Sequence, residues 1–591
     1  MTSSSYFSGE RFPFKWALLA ALMVGVVYFL PQLFHLWRWQ APSVLLEENY
    51  DEISYAVAAA RVAGEQVGQP DPYQIDRQSP ASFSFATVQF FPAWLIGHLA
   101  RLTSLPVTGL FMFGSLILPA IVGFLFAYIA WCCGVKEPIN IVLWVFFSLL
   151  MLPPVLWLMQ FRYTKALLGG TDPGFYLSLS YSRRYQPQFT AVIHYFTIAI
   201  SLALLRISRS AWARSASVLA GVGFGASFYC YYFSWTILLG WFVLGAIMVR
   251  WQYPEKLKGW LFAALLGLVI ALPYFLTVIK NFSQVSQSAA SAHTREWPTD
   301  PAILITLTIS AVLLGVMLYD REQQSRLWVP FTLNLVIALG AWQNVLTGIY
   351  IQPYHYLHYF GRPAMNLAII SLWFWIVQRW LHAAHYLRLV RNLHFAAIGI
   401  CLIVAVIFQC ARYREVASLG REAVMAQPAM QAIRQYLPAG VIVYCPAEIT
   451  REAIPLYTSA TSYFSRYMLL SETAATATAL RERAVFTQWL RGANNADFSA
   501  WLKTKPVDVF FQQLQRPPNA ESQLLMNSMA EDFEQRFKAW EMAPKQKIVE
   551  PLHYALLPHS LSLGITRLPR YFHCQLLWAD QHFALYELER L

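Results

Sequence analysis

What most constrains this chain is the recurrence, along residues 1–410, of apolar windows matching the roughly 20 residues a helix needs to cross a hydrocarbon core. About eleven can be marked, beginning near Phe14, Leu105, Ile139, Phe189, Trp212, Ser234, Leu257, Ala302, Leu327, Pro363 and Leu393. With 57% hydrophobic and only 13% charged residues in 591, the chain is more apolar than a soluble fold can bury. The first window, 14–34, is followed by Leu36, Trp37 and Arg38 rather than a small-residue cleavage site, and reads as a retained span. Residues 83–102 are apolar but interrupted by Pro92 and His98, and read as one or two helices lying in the membrane interface. The expected fold is an α-helical polytopic membrane protein with a soluble α/β domain after residue 410.

Lys and Arg near span ends are retained in the cytoplasm. Alternate short connections carry them: Arg11 and Lys15; Lys136; Arg206, Arg209 and Arg214; Arg250, Lys256 and Lys258; Arg321 and Arg326; Arg379, Arg388 and Arg391. These are expected inside, with the N-terminus. The connections 35–104, 161–186, 281–300 and 343–362 then face outward. An odd number of spans puts the tail, 411–591, outside as well. The predicted location is a cell (inner) membrane crossed many times, in a cell envelope.

Residues 411–591 hold 19 Lys and Arg against 17 Asp and Glu, leaving 25 against 15 for residues 1–410. The basic excess therefore sits in the membrane half. That suits anionic lipid headgroups or phosphate substrates and argues against nucleic acid as a partner. In the tail, residues 441–444 and 507–511 read as short strands, 472–490 as a helix and 583–588 as a final strand. The tail has no nucleophile elbow, P-loop or dinucleotide fingerprint, so a structural or acceptor-binding role is expected. Cys445 and Cys574 could pair in an oxidising compartment or stay as two packing cysteines.

Three outward segments carry candidate chemistry. The first loop has Asp51 and Glu52 directly before a helical stretch. Asn49 with Glu52 fits a helix cap and its box partner, whereas a carboxylate just above the membrane suits a general base for an acceptor hydroxyl. Asp51 is the better base, because capping partly explains Glu52. The second loop carries Arg162, Lys165, Arg183 and Arg184, against the positive-inside bias, around a Gly-rich turn containing Asp172. A bound lipid phosphate or pyrophosphate would account for these guanidinium groups, as would outer-leaflet headgroups. Asp172 reads as a turn residue or a second carboxylate. The last segment packs Gln343, Asn344, His355, His358 and Arg362 among aromatic rings, a combination suited to sugar and phosphate recognition. Two histidines three apart with no nearby carboxylate make a poor metal site. The span centres almost lack ionisable residues, which ion-coupled transporters usually place there.

An acidic pair opening the first outer loop, about eleven spans, basic and aromatic outer loops and an extracytoplasmic C-terminal domain resemble the GT-C superfamily of integral membrane glycosyltransferases, in particular the members that use polyprenyl-phosphate sugars. The resemblance is one of architecture over the whole chain; its residues are Asp51 and Glu52 and, more loosely, Arg183, Arg184 and the 343–358 stretch. It implies an inverting transfer from a polyprenyl-phosphate-linked donor to an extracytoplasmic glycan, lipid or protein. It also implies that Asp51 acts as base or binds a divalent metal, Mg or Mn, although the Asp-any-Asp triplet is not present. Two alternatives stay open: a lipid-linked polysaccharide polymerase or ligase, which usually carries its large loop between late spans, and a transporter or scaffold without enzymatic activity.

Overall fold

The computed structural model describes residues 11–42, 44–46, 52–64, 89–151, 179–181, 186–207, 209–280, 292–293, 295, 301–350, 355–380, 384–465, 468, 477–504, 520–542, 552–561 and 563–591. Every window marked from the sequence coincides with a helix. These are α1 (Phe14–Trp39), then, after α2 (Glu52–Ala63) and α3 (Phe91–Thr103), α4 (Val107–Cys132), α5 (Pro138–Leu150), α6 (Gln186–Arg206), α7 (Ser210–Phe228) and α8 (Tyr232–Gln252). Next come α9 (Leu257–Ile270) with α10 (Leu272–Lys280), α11 (Pro301–Tyr319), α12 (Gln324–Ala341), the single-turn α13 (Gln343–Thr347), α14 (Arg362–Trp380) and α15 (Ala384–Met425). Among the described residues, 7 helices are long and apolar enough to cross a membrane, or 8 if the bent pair α9 and α10 counts as one span. α5 falls short because only 13 of its residues are described as helical, and α7 and α12 are less apolar. The chain is a multi-pass membrane protein.

Lipid gives helices little hydrophobic reason to associate, so close approach at small residues holds them together. A Cβ on Gly25 of α1 would lie 2.4 Å from the Leu116 carbonyl of α4, and one on Gly221 of α7 would lie 2.8 Å from the Ala263 carbonyl of α9. Polar side chains mend broken backbone. Pro31 lacks the N–H that would serve the Val27 carbonyl one turn back, and Gln409 of α15 donates to that oxygen instead, at 3.1 Å.

The basic connections collect at one end of the bundle. Arg206 donates to the Trp131 and Cys132 carbonyls at the end of α4, and Lys256 donates to the Ile207 carbonyl. Phe12 packs edge-on against Phe124, Tyr128 and Trp131. Arg326 bonds Gln378 at 2.7 Å, and His394 joins Asn140 at 2.8 Å. At the opposite end the Phe91 N–H donates to the Tyr229 carbonyl, and two residue pairs, 292–293 and 349–350, form the small antiparallel ladder of β1 and β2.

The tail continues from α15 through α16 (Gln427–Tyr436), β3 (Ile442–Tyr444), α17 (Glu448–Tyr457), β4 (Thr461–Ser462), α18 (Ala477–Leu490), α19 (Asn495–Thr504), α20 (Ala520–Met542), β5 (Tyr554–Pro558), β6 (Phe572–Ala579) and β7 (Phe583–Arg590). Its sheet has the order β4-β3-β5-β7-β6, parallel on the first three strands and antiparallel on the rest. The strands expected at 441–444 and 583–588 are β3 and β7, and the helix expected at 472–490 is described from Ala477; β5 and β6 were not anticipated. The strand expected at 507–511 lies outside the described residues. Cys445 and Cys574 are both thiols, with β5 and β7 between their strands. Three strand spacings of about 4.8 Å hold them far beyond disulfide reach. Burial pushes the Cys445 thiol up to about 12, which also keeps it inert.

Buried side chains form two clusters. One lies within the spans. The other joins tail residues such as Ile433, Val443, Ile454 and Leu585 to Leu45, Ile53, Ala56, Val57 and Ala60 of the connection between α1 and α4 and to Ile96 of α3. α3 itself buries Pro92, Ile96, Gly97 and Ala100 while Trp94, Leu99 and Leu102 stay exposed, so it has one packed and one apolar exposed face.

Candidate functional site at the end of the bundle opposite the basic connections

Pro363 sets the local geometry. It has no N–H to give the Tyr359 carbonyl four residues earlier. The backbone from Tyr356 to Gly361 winds as a wider π turn, and the hydroxyl of Tyr181 donates to the Tyr359 oxygen at 2.7 Å. Turns of this kind are rare and occur preferentially where function demands an unusual side-chain arrangement. All six residues of the turn are buried. It carries His355 at its start, His358 within it and Arg362 at its end.

His355 is held by the Tyr231 hydroxyl, 3.1 Å from its Nδ1, and its ring sits against Phe233 and Tyr359. His358 is buried with its ring edge-on to Tyr359. Arg362 is only 3% exposed, an unusual depth for a guanidinium. Tyr181 also shares a 3.0 Å bond with the Tyr195 hydroxyl of α6, and Tyr28 of α1 donates to the Leu149 carbonyl of α5 at 3.0 Å. One turn deeper, Asn366 donates to the Met151 carbonyl at the end of α5, fixing α14 against that helix. The start of α6 is fixed in the same way: Gln186 donates to the Cys230 carbonyl and to Gln89, and Gln188 to the Tyr181 carbonyl.

Of the residues singled out in the sequence, His355, His358 and Arg362 come together on this turn. Gln343 sits at the start of α13, where it accepts a bond from Thr347 at 2.9 Å, a contact within one helical turn. Glu52 is the first residue of α2 and fully buried. Asp51, Arg162, Lys165, Asp172, Arg183 and Arg184 lie outside the described residues. No group of three potential metal ligands occurs among the described residues. Sequence reasoning missed Tyr28, Tyr181, Tyr195 and Tyr231. Tyrosines in apolar windows look like interfacial belt residues, and only their partners show otherwise. Pro363 was the readable signal, because a proline one turn after an aromatic-histidine run obliges that run to find an outside donor.

No protein-family model matches the chain, and no curated protein matches it by sequence. Among solved structures it is similar to the crystal structure of ArnT from Cupriavidus metallidurans bound to undecaprenyl phosphate. The alignment covers 97% of this chain and 98% of that one at 13% identity, with a TM-score of 0.46.

Proposed function

We propose that this chain is a membrane glycosyltransferase of the GT-C superfamily, moving a sugar from a polyprenyl-phosphate donor to an extracytoplasmic acceptor by inverting displacement. The observation that carries the reading is the buried Arg362 guanidinium, set on a π turn with His355 and His358 at the end of the bundle opposite the basic loops. In such a transfer the acceptor oxygen bonds to the anomeric carbon while the bond from that carbon to the phosphate oxygen breaks. Negative charge then grows on the departing lipid phosphate. A guanidinium fork in a water-poor site stabilises that charge as it develops, and imidazole N–H groups add directional bonds. The acceptor must lose a proton on the opposite face of the sugar, the role assigned to Asp51 or Glu52. Arg162, Lys165, Arg183 and Arg184 are assigned to the donor's phosphate as it enters. A divalent metal at the acidic pair is left to the same assay, run with and without chelator.

The test follows transfer of radiolabelled sugar from a polyprenyl-phosphate-sugar preparation to envelope acceptors, using the full chain in membranes. Arg362→Ala is expected to lower transfer at least about a hundredfold, and Asp51→Asn or Glu52→Gln to do the same for whichever carboxylate is the base. Transfer at the parental rate by Arg362→Ala would sink the assignment of the phosphate site.

A further inference from the structure

The tail makes its own contact with the chain that leads into the acidic pair. The backbone N–H of Leu45 donates to the hydroxyl of Tyr457, the last residue of α17, at 3.0 Å, and both residues are buried. The next residue, Leu46, is held from two other sides. Its carbonyl accepts from Gln32 of α1 at 3.4 Å, and its side chain lies so close to α15 that a Cβ on Gly420 would stand 2.7 Å away. α17 is in turn tied to α15, because the Thr450 N–H and hydroxyl both approach the Glu422 carboxylate at 3.4 Å. Beyond this anchored stretch, α2 buries Ile53, Ala56, Val57 and Ala60 in the core it shares with the tail.

We infer that the C-terminal tail, through Tyr457, positions Glu52 of the acidic pair: the 44–46 stretch and α2 are held against α17, so the tail sets where Glu52, the first residue of α2, stands relative to the bundle. Tyr457 is a positioning residue, remote from reacting atoms. The inference rests on the proposed reading only in naming the acidic pair as base; the mechanical part stands apart from it. A tail that merely bound an acceptor would have no reason to bond the backbone six residues ahead of that pair.

The experiment compares Tyr457→Phe with Tyr571→Phe in the full-length protein in nanodiscs. Tyr571 is the control: its hydroxyl accepts from Trp489 at 2.9 Å deep in the tail, away from residues 44–46. Amide exchange at residues 44–46 and 52–63 is expected to rise about tenfold in Tyr457→Phe, where the Leu45 N–H loses its acceptor, and to stay at the parental rate in Tyr571→Phe. With an undecaprenyl-phosphate-linked sugar as donor, Tyr457→Phe is expected to lower kcat while KM for the donor stays within about twofold. Unchanged exchange in Tyr457→Phe, an equal rise in both variants, or increased exchange with unchanged kcat would each overturn the inference. If the parental protein transfers no sugar, the function proposed above fails, and the exchange comparison alone still decides whether the tail holds this segment.

Discussion

Arg362 and Pro363 are neighbours with opposite demands: one must be lodged in a low-dielectric place, the other breaks the hydrogen bonding that would make the place regular. Pro363→Ala restores an N–H to the ladder and lets the turn at Tyr356–Gly361 tighten, which rotates His355 and His358 away from Arg362. The variant is expected to melt no lower than the parent yet to transfer sugar at least about tenfold more slowly; equal transfer at equal stability would show that the wide turn has no functional part. Arg362→Lys keeps the charge but loses the planar fork, so it should recover only a small share of the activity lost in Arg362→Ala. Tyr231→Phe removes one bond from His355, and a several-fold loss of kcat, about 1 kcal/mol, is expected with an intact fold.

At the scale of elements, α2 and α3 pack so closely that a Cβ on Gly97 would stand 2.6 Å from the Ala59 carbonyl and 2.5 Å from the Val62 Cβ. Backbone cannot yield as a flexible side chain does. Gly97→Ala should therefore separate the two helices, cost about 1–3 kcal/mol in thermal unfolding of the detergent-solubilised protein, and weaken transfer through α2. A neutral midpoint would mean the pair adjusts freely. In the tail, α18 and α20 are joined by an ionic group in which Arg536 bonds both Asp532 and Glu482, and Arg481 reaches Asp532 at 3.3 Å. Partial burial pushes the Asp532 carboxyl up, but the bonds from Arg536 and Arg481 outweigh it and the net shift is downward. Because the folded value lies below the unfolded one, this contribution is fully present above about pH 4 and is lost as the pH falls through the folded value. Solvent access keeps it small, on the order of 0.5 kcal/mol. Asp532→Asn should lower the melting midpoint slightly at pH 7, and the gap to the parent should narrow as the pH falls below about 4. A gap that widens on acidification would contradict the downward shift.

For the molecule as a whole, hydropathy and the alternation of Lys and Arg were enough to place a helix at each of the eleven marked windows, of which 7 or 8 are long and apolar enough to span among the described residues, and to group their connections by end, because lipid forces every spanning backbone into helices and charge keeps basic loops on one side. Residue types also marked the stretch that the structure gathers on one turn, since imidazole and guanidinium groups among aromatic rings are costly in an apolar window: His355, His358 and Arg362 were legible for that reason. The tail was only half legible. β3 and β7 showed as apolar or alternating runs, whereas β6 is an edge strand with only Phe572 fully buried, so its pairing was hidden until β7 was beside it. Nor could the sequence show that Leu45 and Tyr457, some four hundred positions apart, are hydrogen-bonded, that Tyr181 serves the carbonyl stranded by Pro363, or that Glu52 is buried. The local rules of solvent and backbone act within a turn or a span, and by themselves they determined the spans and the grouping of their connections by end. Which side chains meet depends on contacts between distant segments, and that the tertiary structure alone decided.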